Sequence, residues 1–313
     1  MTEQVPDEHS SALKSRSDVP FYTIFSAISA VYILLIVAML AAETTYTTPE
    51  HIWAAFAKPE IRYAIWLSLV SCAITTVLSL WVSVPIGYLL SRHNFWGKTL
   101  IDAILDIPIV LPPLVIGLCL LILFQVDIPQ IEWLNHAVES DTGITQNKEI
   151  VMSRTQSLDD LIRKLTKLIF GKSIGVTYEI PSVLLAQFMV ACAFAVRTMR
   201  VTFDQIGPRY EQVAMTLGCN RGQAFWRVVF PQAYRGLLAA GTLAWARSLG
   251  EFGPILIFSG ATRMKTEVLP TTVFLELTVG NIEGAVAASL IMVVSAFIVL
   301  VIARMFGLSR AAI

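Results

Sequence analysis

The chain has 313 residues, 55% hydrophobic and 15% charged, with a mean hydropathy of +0.66. Soluble domains carry about 25% charged residues, so this chain has too few polar side chains to cover a soluble surface of its size. Basic and acidic residues balance at 23 each, which leaves no overall charge to hold nucleic acid.

A helix crossing a bilayer needs about 20 apolar residues, and six stretches have that length: 21–42, 61–90, 102–124, 180–201, 236–258 and 284–303. The expected fold is therefore an all-α polytopic membrane protein with six transmembrane helices. Residues 1–20 form a tail before the first of them. The run from Phe21 to Ala42 exceeds the about 7–15-residue core of a signal peptide and reads as a retained helix. The second stretch carries Ser68, Ser71, Thr75, Ser79, Ser83 and Gly87 at steps of three or four. Membrane helices associate through small residues and hydroxyls, so this face predicts contact with protein, with a pathway lining as the alternative. Cys72, Cys119, Cys192 and Cys219 lack CxxC spacing and read as packing residues.

Segment 127–179 interrupts the third and fourth stretches with six basic and eight acidic residues, and reads as an enlarged outer loop. Within it, Ser157 to Asp160 resembles a capping box. Leu158, Leu161, Ile162, Leu165, Leu168 and Ile169 follow at helical spacing, predicting an amphipathic helix over about 158–170. Arg163, Lys164 and Lys167 on its polar face suit lipid headgroups; packing on the outer ends of the membrane helices is the plainer use. Gly171-Lys172-Ser173 looks like the end of a phosphate-binding loop, but Thr166 stands where that motif needs glycine.

The connection after the fourth stretch is the most basic in the chain, with Arg197, Arg200, Arg209, Arg221, Arg227 and Arg235 against Asp204 and Glu211. Basic loops stay in the cytoplasm, which places this connection and both termini there, including the tail 304–313. Between Tyr210 and Pro231 the sequence predicts a short helix ended by Gly218, a polar turn, then an aromatic helix containing Phe225 and Trp226.

The fifth stretch has Gly236, Ala240, Ala244 and Ser248 every fourth residue, with Gly241 beside them as a further packing position. It also holds Arg247 and Glu251, one helical turn apart. A charge costs about 2.5–3.5 kcal/mol near the centre of a membrane helix, so the two imply pairing, a water-filled cavity or a position close to the interface. With Gly253 they are candidates for a translocation pathway or gate; the alternative is an internal pair that fixes helix geometry. Gly250, Gly253 and Pro254 weaken the helix at this point.

The basic connection resembles the EAA loop of ABC importer permeases in its spacing. The triplet falls on Gln212, Val213 and Ala214, the glycine on Gly218, the aliphatic position on Val228 and the proline on Pro231. Gln212 replaces the usual glutamate and Val213 the usual alanine, with Glu211 next door. Leu111-Pro112-Pro113, Ala186-Gln187, Ala246 to Gly253 and Thr266 to Pro270 resemble the molybdate and sulfate permeases. The likeness covers 61–303 apart from 127–179, and Ala193 stands where that family leads one to expect proline.

This resemblance implies type I ABC importer permease architecture in a bacterial-type inner membrane. Glu211, Gln212, Ala214, Gly218, Phe225 and Pro231 would couple the chain to a cytoplasmic ABC ATPase dimer. That partner would use ATP and Mg2+, and this chain would bind no cofactor. A second permease copy, forming a homodimer, and an extracytoplasmic oxyanion-binding protein complete the implied assembly. The implied cargo is a tetrahedral oxyanion, molybdate ahead of sulfate or thiosulfate. A self-sufficient secondary transporter would leave the aromatic loop without a purpose. A membrane enzyme is disfavoured: His9, His51, His93 and His136 are dispersed, and neither HExxH nor GxSxG occurs. No catalytic residue and no metal site is expected.

Overall fold

The computed structural model describes residues 19–45, 48–125, 127–128, 156–170 and 175–308. Both terminal tails, apart from the residues at their helix-proximal ends, and most of segment 127–179 lie outside the described residues. The chain divides into two units, 1–48 and 49–313. The first holds α1, Val19–Thr45, whose stretch Phe21–Thr45 is long and apolar enough to cross a membrane.

In the second unit a short α2, Pro49–Ala57, leads into α3, Pro59–Arg92. At 34 residues and about 1.5 Å per residue, α3 is about 50 Å long. The hydrocarbon core is only about 30 Å thick, so the ends of α3 project beyond it. α7, Ile180–Gln205, and α13, Ile282–Leu308, supply two further spans. Between them lie α8, Arg209–Thr216; α9, Arg221–Ala224; α10, Phe230–Gln232; α11, Tyr234–Leu249; and α12, Leu269–Thr278.

The third expected span is not one helix. Residues 98–125 form α4, Lys98–Val110, and α5, Pro113–Gln125, bent by 111°. Leu111 precedes two prolines and is extended, with φ −65° and ψ 139°, because a residue before proline is sterically driven out of the helical region. Asp102 and Asp106 explain why α4 is separate. Asp102 accepts a 2.6 Å bond from Arg200 on α7, and Asp106 lies 3.6 Å from Arg197. These carboxylates tie α4 to the charged end of α7.

The fifth expected span is also interrupted. α11 ends at Leu249, and beyond Glu251 and Phe252 the chain resumes in a wide π turn, Ile255–Ser259. Among the described residues, four helices are long and apolar enough to cross a membrane, five if the bent pair counts as one span.

The core is a stack of α3, α7 and α11 held at close range. Ser68, Ser71, Thr75, Ser79, Ser83 and Gly87 on α3 are all buried. A methyl on Gly87 would lie 2.9 Å from the Arg200 amide nitrogen, and one on Gly236 would lie 2.0 Å from Thr202 Oγ1. Ala191 and Ala195 of α7 meet Ala244 of α11, and Gly241 faces Leu80. Lipid gives helices no hydrophobic reason to associate, so this packing rests on close backbone approach and hydroxyl bonds, among them Thr75 Oγ1 to Gln187 Oε1 at 3.2 Å. Cys72 and Cys192 are buried within the stack, whereas Cys119, expected as a packing residue, is exposed on α5.

The N-cap half of the box at Ser157 forms: the Asp160 amide donates to Ser157 Oγ at 3.3 Å, and that hydroxyl donates to the Asp160 carboxylate at 3.1 Å. The amphipathic helix follows as α6, Leu158–Phe170. A two-residue antiparallel pairing of β1, Asp127–Ile128, with β2, Gln156–Ser157, precedes it. Leu158 and Ile162 pack on the apolar cluster around Val183 and Phe258, so this helix rests on the membrane helices. Asp159 anchors it, accepting 2.7 Å from Arg163 and 2.6 Å from the Val176 amide.

Candidate functional site

Gly218, at φ +92°, ends α8 in the left-handed region that favours glycine. The Gly218 and Cys219 amides close the helix by donating to Met215 and Ala214 at 3.1 Å each. Asn220 and Gln223 then cap α9 reciprocally: the Gln223 amide donates to Asn220 Oδ1 at 2.8 Å and the Asn220 amide to Gln223 Oε1 at 3.0 Å. Residues 225–229 widen into a π turn ahead of Pro231, which has no amide hydrogen to close an ordinary turn.

The loop presents two faces. Tyr210, Gln212, Val213, Leu217, Gly218, Trp226 and Pro231 are exposed, while Glu211 and Ala214 are buried. Phe225 is half-buried and meets Tyr88 of α3 edge-on at 4.8 Å. Hollows of about 700 Å³ and 770 Å³ flank α8, the first between α3 and Trp226, the second against Tyr210, Val213 and Leu217.

Glu211 turns inward to the end of α3. Its Oε1 accepts a short hydrogen bond from the Tyr88 hydroxyl, and its Oε2 lies 3.4 Å from Arg92 Nε. Arg92 also donates from Nη2 to the Ile206 carbonyl at 2.8 Å. Neither Arg92 nor Tyr88 neighbours Glu211 in the chain, so the spacing of the loop alone does not find them.

The break after α11 holds the second constellation. Arg247 Nη1 lies 3.0 Å from Glu251 Oε2, and the other carboxylate oxygen is buried without a hydrogen-bond partner. The Glu251 side chain is 1% exposed and that of Arg247 28%. The guanidinium also sits 5.9 Å from the centre of the Phe194 ring. The start of α5 crosses this break at backbone contact. A methyl on Gly253 would stand 2.9 Å from the Leu114 nitrogen, and one on Gly117 2.7 Å from the Pro254 Cα.

At the end of α3 remote from Arg92, Glu276 on α12 gathers Arg263 at 3.0 Å, Lys58 at 3.7 Å and the Asn281 amide. Tyr63 donates to the Lys265 carbonyl at 3.0 Å, and Ser68 Oγ accepts from the Leu269 amide at 2.8 Å. These bonds fix the 260–268 loop onto α3. Among the described residues no group of three or more His, Cys, Asp or Glu is placed to hold a metal.

A family model described as binding-protein-dependent transport system inner membrane component matches residues 83–309. The sulfate transport system permease protein CysT of Escherichia coli (strain K12) is 27% identical over 293 residues, covering 92% of this chain and 93% of that protein. The molybdenum transport system permease protein ModB of Haemophilus influenzae is 32% identical over 212 residues, covering 67% of this chain and 77% of that protein. Among solved structures, a bacterial ABC transporter involved in import of the acidic polysaccharide alginate matches with a TM-score of 0.65 at 14% identity, covering 93% of this chain and 95% of that one. At that identity the likeness speaks for the fold alone.

Proposed function

The chain belongs to the family of binding-protein-dependent transport system inner membrane components, and from that premise we propose that it carries a tetrahedral oxyanion, molybdate, into the cell. It is the multi-pass permease subunit of an ABC importer. The observation that carries the reading is the loop from Tyr210 to Pro231, whose aromatic and apolar residues Val213, Leu217 and Trp226 are presented to solvent. An exposed apolar patch rimmed by arginines is a protein docking surface.

In this reading the loop faces the cytoplasm with both termini and seats an ABC ATPase dimer, which uses ATP and Mg2+. A second copy of the chain completes the pathway as a homodimer, and a binding protein delivers the anion on the side of Lys58 and Glu276. Arg247, paired with Glu251 at 3.0 Å, gives a passing dianion a weak contact. A stronger positive site would hold the cargo and slow its release. Gly253 and Pro254 place a non-helical break beside that contact, where a small shift of α5 is felt.

Molybdate is favoured by the 32% identity to the molybdenum permease; sulfate is the second reading, since sulfate and molybdenum permeases both align along nine-tenths of the chain. Uptake into proteoliposomes holding the permease, its ATPase and its binding protein separates them. ATP-dependent molybdate uptake that excess sulfate does not compete away is expected. Sulfate uptake resistant to excess molybdate would assign the cargo to sulfate, and uptake driven by an ion gradient without ATP would remove the importer reading.

A further inference from the structure

We infer that Tyr88 and Arg92, at the end of α3, are positioning residues that carry movement of the docking loop into the membrane helices through Glu211. The inference rests on the importer reading above and adds the route by which the loop is geared to the pathway.

α8 is joined to α7 only through Ile206, Gly207 and Pro208. A push on such a helix could be absorbed by rotation at Gly207, leaving the spans unmoved. The Glu211 carboxylate bypasses that joint. It is buried, it accepts from the Tyr88 hydroxyl, and it faces Arg92 at 3.4 Å. Arg92 in turn holds the Ile206 carbonyl at 2.8 Å, so one guanidinium ties α3, the end of α7 and α8. The Tyr88 ring adds an apolar bracket, edge-on to Phe203 of α7 at 5.7 Å and to Phe225 of the loop at 4.8 Å. Because α3 packs along α7 and α11 through small residues, displacing its end moves the stack that contains Arg247.

The geometry also divides the labour within the loop. Glu211 faces inward and is already engaged, so the surface offered to the ATPase consists of Gln212, Val213, Leu217 and Trp226. Docking and force transfer use opposite faces of one short helix, which makes them separable by mutation. Lysine cannot replace Arg92, since a point charge does not reach two acceptors in a fixed fork.

The test uses the complete complex in proteoliposomes with its binding protein. Tyr88→Phe, Arg92→Lys and Glu211→Gln are each compared with the parent for ATPase co-purification, thermal unfolding in detergent, and anions imported per ATP hydrolysed. Expected for Arg92→Lys and Glu211→Gln is a fall of about tenfold in anions per ATP, with the ATPase still bound and unfolding close to the parent. Tyr88→Phe keeps the ring and loses one hydrogen bond, so a smaller fall of about threefold is expected. Parental anions per ATP in all three variants would overturn the inference. Loss of the ATPase in step with loss of uptake would also overturn it, by making Glu211 part of the docking face. A parent complex without ATP-driven uptake would instead remove the importer reading, and the inference with it.

Discussion

The guanidinium of Arg247 meets the carboxylate of Glu251 at 3.0 Å across a single turn, and the two are unequally exposed, 28% against 1%. The pair therefore has an asymmetric dependence on its partners. Removing Arg247 strands a buried carboxylate, whereas neutralising Glu251 leaves a cation that is partly exposed.

Arg247→Ala is expected to lower stability by about 3–5 kcal/mol, the usual effect of breaking a buried pair from one side, and to reduce uptake at least tenfold. Glu251→Gln should lower stability by less, while slowing release of the anion from a more positive site. Thermal unfolding in detergent and single-turnover uptake check both. Equal destabilisation by the two variants would contradict the asymmetry.

Gly117→Ala and Gly253→Ala each drive a methyl into the backbone of the facing segment, at 2.7 Å and 2.9 Å. Overpacking of this kind costs about 1–3 kcal/mol, so both variants should unfold earlier than the parent. Gly241→Ala is the control, because its nearest neighbour is a flexible Leu80 methyl at 3.3 Å, and it should be close to neutral.

Nothing lies within 4 Å of where a side chain on Gly218 would begin, so Gly218→Asp should leave the membrane helices folded. Its strain is local, since φ of +92° disfavours any side chain, and the new carboxylate projects from the exposed face proposed to seat the ATPase. The expected result is loss of ATPase co-purification with an unchanged unfolding temperature. Retention of the ATPase at parental yield would contradict it.

Burial opposes the charge of Asp159, but bonds from Arg163 and from the Val176 and Thr177 amides outweigh it and hold the carboxyl below its ordinary range. A carboxyl lowered in the folded state stabilises above its unfolded value, about 3.9, and that contribution is lost as pH falls through the lower folded value. Protection of the α6 amides, taken against the intrinsic exchange rate at each pH, should thus be high at pH 7 and fall below about pH 4. Asp159→Asn should exchange faster at pH 7 and lose most of the acid response.

Four of the six expected spans were legible because length and hydropathy alone identify a membrane helix, and the loop after α7 because Gly218, Asn220 and Pro231 are local punctuation. Two things were not. The window over 102–124 averaged Asp102 and Asp106 away, although two carboxylates one turn apart followed by Leu111-Pro112-Pro113 mark a surface helix and then a bend. The bracket at Glu211 depends on Tyr88 and Arg92, more than a hundred residues earlier, and on the phase of α8. Spacing motifs place Gln212 in the frame but do not say which neighbour points inward.

The contact between α5 and the break after α11 has a genetic consequence. A crowded side chain is relieved when its neighbour is trimmed, but the nearest atoms to Gly117 and Gly253 are the Pro254 and Leu114 backbones, which cannot be trimmed. Second-site suppressors of a substitution at either glycine therefore cannot arise from the residue it strikes. They must come from changes that shift a whole helix, which makes revertants at these two positions a map of which segments slide during transport.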